Sequence, residues 1–200
     1  MADERLWQCL VEETPERFCC RTGAELDAAT GCIHLPVLTG TLVLDPAAQS
    51  VEWLAGEGAD PATFPDLRVE ATATNYLLSV RELPFVGKWI SPQELPSGAM
   101  FLRGQHALPT AELEAAFGEG LDAFKQAAER LGGSPLTFAD ASYEFRVLPR
   151  VKLAVLLWRG DDEFPARARF LVDDSLRHHL ALDAVLGIAH LVTDRLIATV

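Results

Sequence analysis

Residues 142–172 read SYEFRVLPRVKLAVLLWRGDDEFPARARFLV, and this stretch decides the fold. Residues 142–148 and 151–158 are apolar, aromatic and β-branched runs parted only by Pro149-Arg150. Residues 166–172 form a third run, after a loop rich in Gly, Asp and Pro at 160–165. Three short runs with turn chemistry between them predict a three-stranded antiparallel meander. Downstream, the chain from about Leu182 is apolar with a helical period and is expected to pack on that sheet.

Upstream, the segments 32–38, 41–44 and 51–54 are apolar and separated by Gly40 and Asp45-Pro46, as in a second small meander. Residues 3–13 place Leu6, Trp7, Leu10 and Val11 on one helical face. Thr14-Pro15-Glu16 then supplies a cap, a proline at the first helical position and an early acid, predicting a short helix that stops near Gly23. Residues 55–65 read as a loop, and 66–80 as a helix with Leu67, Ala71, Leu77 and Leu78 toward the core. Ser91-Pro92-Gln93-Glu94 is a capping box for one helical turn. After Thr110 one longer helix carries Leu113, Phe117, Leu121, Phe124 and Leu131 and ends at Gly132-Gly133. Strands and helices are segregated more than alternated. The class is therefore α+β, mainly antiparallel sheet with a C-terminal three-stranded meander packed by four to five helices. Two hundred residues are expected to make a single domain.

Charge narrows the function. Acidic side chains number 29 against 17 basic, for a net charge of −12. Such a field repels phosphate backbones and anionic lipid, so neither nucleic acid nor membrane is expected as a partner. The N-terminus is charged from its third residue, and the apolar stretch 182–200 is interrupted by Asp183, His190, Asp194 and Arg195. Neither segment has the form of a signal or a membrane span, which predicts a cytoplasmic protein. Cys9, Cys19, Cys20 and Cys32 all fall in the first 32 residues, and no pair has the C-x-x-C spacing of metal sites. Buried thiols are their structural reading, and a metal or redox role is the other.

Two polar clusters carry candidate chemistry. Asp161-Asp162-Glu163 could supply oxygens to Mg²⁺ or Ca²⁺, or could simply be turn residues. Asp173, Asp174, His178 and His179 could ligate a transition metal, but adjacent histidines diverge on either a helix or a strand. One packed and one exposed histidine is the competing reading. Antiparallel pairing of the last two strands puts these clusters at opposite sheet ends, roughly 20 Å apart at ~3.3 Å per residue. Asp140 then falls near Asp161. Arg150 falls near Asp173 and Asp174, where an ion pair is expected. Lys88 beside Trp89 could stack on an anion or aromatic ligand, or Trp89 could anchor the core.

These residues carry a resemblance. Asn75-Tyr76-Leu77-Leu78, Gly87-Lys88-Trp89-Ile90-Ser91, Glu94-Leu95-Pro96, Leu131-Gly132-Gly133 and Asp140-Ala141-Ser142 belong to it. So do Pro149-Arg150, the run from Leu157 to Pro165, and the run from Phe170 to Ser175 followed by His179-Leu180. Together they resemble domain-of-unknown-function family 3786, found mainly in anaerobic bacteria and archaea. The run W-x-G-D-x-E-F-P is its most specific part. Some members are fused to a four-cysteine iron–sulfur module similar to that of corrinoid iron–sulfur proteins. The resemblance therefore implies anaerobic redox or corrinoid-linked metabolism, with an iron–sulfur or corrinoid protein as partner, because this chain's cysteines do not reproduce that module. It also strengthens Asp161 and Glu163 as ligand candidates, since acids in a recognisable loop more often serve function than packing. The expected function is an accessory or cofactor-binding protein. The alternatives are a metal-dependent enzyme using Asp161 and Glu163, with Asp140 nearby, and an oligomer-forming structural subunit.

Overall fold

The structure, a computed structural model, describes residues 4–54, 56 and 67–199. The loop expected over 55–65 lies outside them apart from Gly56, as do the side chains of Leu6, Cys9, Val11 and Leu67. The chain opens with α1 (Glu4–Glu12), which buries Trp7, and α2 (Pro15–Thr22), which buries Phe18. Thr14 caps α2 by accepting the Arg17 amide at 3.4 Å, and Pro15 begins it. Gly23 ends it in the left-handed region at φ 72, donating its N–H to the Cys19 carbonyl.

Four antiparallel strands follow in sequence order: β1 (Glu25–Leu26), β2 (Ile33–Val37), β3 (Gly40–Asp45) and β4 (Ser50–Leu54). Alternation puts Ile33, Leu35, Val37, Leu42 and Leu44 inside. The helix α3 (Leu67–Ser79) directs Thr72, Ala73, Tyr76 and Leu77 inward, leaving Ala71 exposed. Its buried stripe is thus turned from the one expected through Ala71 and Leu78, because Tyr76 is the anchor; its hydroxyl donates to the Thr22 carbonyl.

Beyond α3 the chain crosses to β5 (Trp89–Ile90), then a 3-10 turn at Pro92–Glu94 that carries the expected capping box. The four-residue helix α4 (Gly98–Phe101) precedes α5 (Thr110–Phe117) and α6 (Leu121–Arg130). The single helix expected after Thr110 is therefore two. A Cβ on Gly118 would lie 2.4 Å from the Glu114 carbonyl oxygen and 2.5 Å from Ala166 Cβ, and the Gly118 carbonyl accepts the Gly160 N–H. Gly118 itself stays helical, which seats it beneath the loop between the last two strands, and the backbone leaves the helix at Gly120, φ −124 and ψ 66.

The second sheet has order β5-β9-β8-β7-β6, every pair antiparallel. It contains β6 (Ser134–Pro135), β7 (Ala141–Leu148), β8 (Val151–Trp158) and β9 (Arg167–Asp173), so the C-terminal meander is present. Tyr143, Phe145, Val155 and Phe170 point to one face, which α5 and α6 cover; Phe124 meets Tyr143 edge to face. Behind them α7 (Leu182–Ile197) packs on α3, α5 and α6 through Val185, Ile188, Val192 and Leu196, each worth about 1.5–3 kcal/mol by burial. One apolar cluster includes residues of both sheets, and the Leu38 amide donates to the Val147 carbonyl across the join. No helix among the described residues is long and apolar enough to cross a membrane.

Gly23 sits where α2 meets the β7–β8 turn. A Cβ there would be 2.6 Å from Pro149 Cβ, on a backbone at φ 72. Gly23→Ala should lower stability by about 2 kcal/mol, from left-handed strain plus the displaced proline. Chemical denaturation measures this; a loss under about 0.5 kcal/mol would mean the turn yields freely.

Candidate functional site: an arginine-lined cleft

The β8–β9 register, Leu153 opposite Val172 and Trp158 opposite Arg167, places the two acidic clusters at opposite ends of the sheet. At one end Asp161, Asp162 and Glu163 are exposed. Asp161 Oδ1 accepts the Glu163 amide at 2.9 Å and the Phe164 amide at 2.7 Å, and those amides hold its carboxyl below the usual range. This is turn chemistry. Asp140 does lie nearby, accepting the Arg159 amide through Oδ2 at 3.0 Å. No group of three or more His, Cys, Asp or Glu among the described residues could hold a metal ion.

At the other end the residues converge differently. Asp173 is 3% exposed, and its carboxylate accepts the amides of Val86 (3.0 Å), Gly87 (2.7 Å) and Ser175 (3.0 Å). Burial pushes its carboxyl upward, but the hydrogen bonds it accepts, from the Ser175, Val86 and Gly87 amides, outweigh that and hold it low. His179 is buried and His178 exposed, as the divergence of neighbouring side chains predicted. The His179 ring accepts the Arg81 amide at Nδ1, and burial lowers its pKa to about 4. Its Nε2 and the Ser175 Oγ are buried without a hydrogen-bond partner. Lys88 pairs with Asp174 at 3.7 Å, and Trp89 lies half-buried on the edge strand β5, where it is no core anchor.

The ion pair expected between Arg150 and Asp173 or Asp174 is not made. Arg150 Nε donates to the Arg21 carbonyl at 2.9 Å and Nη2 to the Cys20 carbonyl at 2.8 Å; Nη1 reaches Leu83 O at 3.5 Å. The carbonyls at the end of α2 are left without helical partners and carry its negative dipole end, so a cation is favoured there. Asp174 is held by Lys88 and by Arg177 instead.

Arg150 also borders a cavity of about 440 Å³ at the join of the two sheets. Pro36, Leu38, Leu131, Leu148 and Pro149 supply its apolar walls, Thr39 and Arg146 its other polar groups. Gly23 and Gly132, both at positive φ, complete the lining. Leu38 holds φ 49, a conformation that costs a non-glycine residue about 1 kcal/mol or more, with its amide tied to Val147 O at 3.0 Å. That strain persists at the wall of the cleft.

Sequence reasoning singled out neither Arg146 nor Leu38. Pro149-Arg150 and Leu131-Gly132-Gly133 were visible as turns, and they are two walls of the cleft. The described thiols are outside it. Cys19, Cys20 and Cys32 are free; Cys20 Sγ donates to Glu82 Oε1 at 3.3 Å, and that carboxylate raises its pKa. Burial first, then Glu16, raises that of Cys19. Both shifts disfavour the thiolate, the nucleophilic form.

No curated protein and no solved structure matches the chain. The motifs running from the α2 cap through the two turns of the cleft to α7 do match one family over residues 14–195, and the chain belongs to it: Domain of unknown function (DUF3786).

Proposed function

We propose that this protein is an accessory, ligand- or cofactor-binding protein of anaerobic redox or corrinoid-linked metabolism in the cytoplasm, working with an iron–sulfur or corrinoid protein partner. The observation that supports the binding half is the cleft at the join of the sheets. At about 440 Å³ it has the size of a small-molecule site, with a lining divided about evenly between apolar and polar surface. The metabolic setting is supported only by the resemblance to family members fused to an iron–sulfur module.

Isolating the full chain from its native source without oxygen, followed by non-denaturing mass spectrometry, tests the reading. The expected result is a small-molecule adduct that Thr39→Trp abolishes, since Thr39 is an exposed wall of the cleft. An adduct unaffected by that filling would move the site elsewhere. Co-isolation of no redox or corrinoid protein would remove the metabolic half. The metal-enzyme alternative draws no support from Asp161, whose Oδ1 is engaged by its own turn. A stoichiometric metal lost in both Asp161→Asn and Glu163→Gln would restore it.

A further inference from the structure

We infer that the cleft takes a small organic anion, and that its phosphate or carboxylate group sits on Arg146. This rests on reading the cleft as a ligand site, and it names the class of ligand. Among the described residues lining the cleft only Arg146 and Arg150 are charged, in a chain of net charge −12. Their situations differ. Arg150 directs all three guanidinium nitrogens at the main-chain carbonyls of Arg21, Cys20 and Leu83, so three of its five donors are spent and it contributes mainly positive potential.

Arg146 is held and yet unanswered. Its Nε donates to the Pro149 carbonyl at 3.0 Å, and its Cζ lies 5.6 Å from the centre of the Phe85 ring. Ring and carbonyl together hold this exposed guanidinium at the rim of the cleft. Its cross-strand neighbour Lys152 lies over the same ring at 5.2 Å but is paired with Glu144 at 2.8 Å. No described carboxylate pairs with Arg146 in that way, and its two Nη groups donate to no described acceptor. A planar fork with open donors, oriented beforehand, is the geometry that receives an oxyanion through two parallel hydrogen bonds. The apolar walls at Pro36, Leu38 and Leu148 then suit a short hydrocarbon body attached to that anion.

Three probes with one body separate charge from shape: phenyl phosphate, benzoate and the neutral benzyl alcohol, titrated into the full chain and followed by backbone amide shifts. Both anions should saturably move the amides of Thr39, Gly132 and Arg146, binding at least about tenfold tighter than the alcohol, as one charge-assisted pair allows. The tighter of the two anions tells a phosphate ligand from a carboxylate. Arg146→Gln should erase the tenfold advantage while lowering the melting temperature by no more than about 3 °C. Arg169→Gln, an exposed arginine stacked over Trp158 outside the cleft, should change nothing. Equal binding of anion and alcohol, or an Arg146→Gln protein that keeps the advantage, would overturn the anion assignment and leave the cleft a neutral-ligand site. So would the absence of saturation by every probe, and native extract still mapping to the cleft would then show that only the ligand class had failed.

Discussion

Between pH 6.5 and about 4 the protein should lose about 3 kcal/mol of folding stability through His179 alone. The ring is 1% exposed, and burial is the main reason it resists protonation. The charges of Arg150, His178 and Arg81 add to that resistance, and only Asp173 opposes it. In the unfolded chain the imidazole takes a proton near its ordinary 6.5, while in the folded protein it waits until about 4. Across that window the unfolded state binds the extra proton, so acid favours unfolding. Above 6.5 the contribution is fully present, and below about 4 it has gone. Urea melts at half-unit pH intervals measure the slope. His179→Asn, whose amide oxygen replaces Nδ1 as acceptor for the Arg81 N–H, should flatten it. A variant with the same slope as the parent would mean that another group titrates there.

Asp173→Ala should cost about 3 kcal/mol, the other large effect. Three amides lose a charged acceptor at once, and each such hydrogen bond is worth about 1 kcal/mol or more. Asp173 also caps the 3-10 turn Asp174–His178 that carries His179, and it anchors Val86 and Gly87 across the sheet end. Hydrogen exchange at Val86, Gly87 and Ser175 should accelerate together in the variant. Because its pKa is depressed, Asp173 stabilises the fold above the ordinary carboxylate range, and that contribution fades as pH falls through the lowered value. This lies below the His179 window, so the two acid arms separate. A cost under about 1 kcal/mol would show that the amides find water instead.

Local signals made much of the fold legible. Thr14, Pro15 and Gly23 bound α2 because capping is decided within a few residues, and the capping box at Ser91 and Glu94 is likewise local. The three runs of the C-terminal meander show their own turns. What Gly118 makes room for was not legible, because it is the close passage of Ala166 from a distant loop. The two-residue edges β1, β5 and β6 are too short to carry a period. The cleft escaped for the same reason as Gly118: Leu38, Leu131 and Arg146 lie far apart in sequence and meet only when the two sheets join. Arg150 was placed at the correct sheet end but given the wrong partner, since carbonyls at a helix end leave no trace in side-chain chemistry.

The most direct test of the account is to titrate the full chain, free of oxygen, with the small-molecule extract of its native source and map the backbone amides that shift. The expected result is a cluster confined to the cleft, at Gly23, Leu38, Thr39, Gly132 and Arg146, with the Asp161 loop unmoved. Shifts centred on Asp161 and Glu163, with the cleft silent, would contradict it.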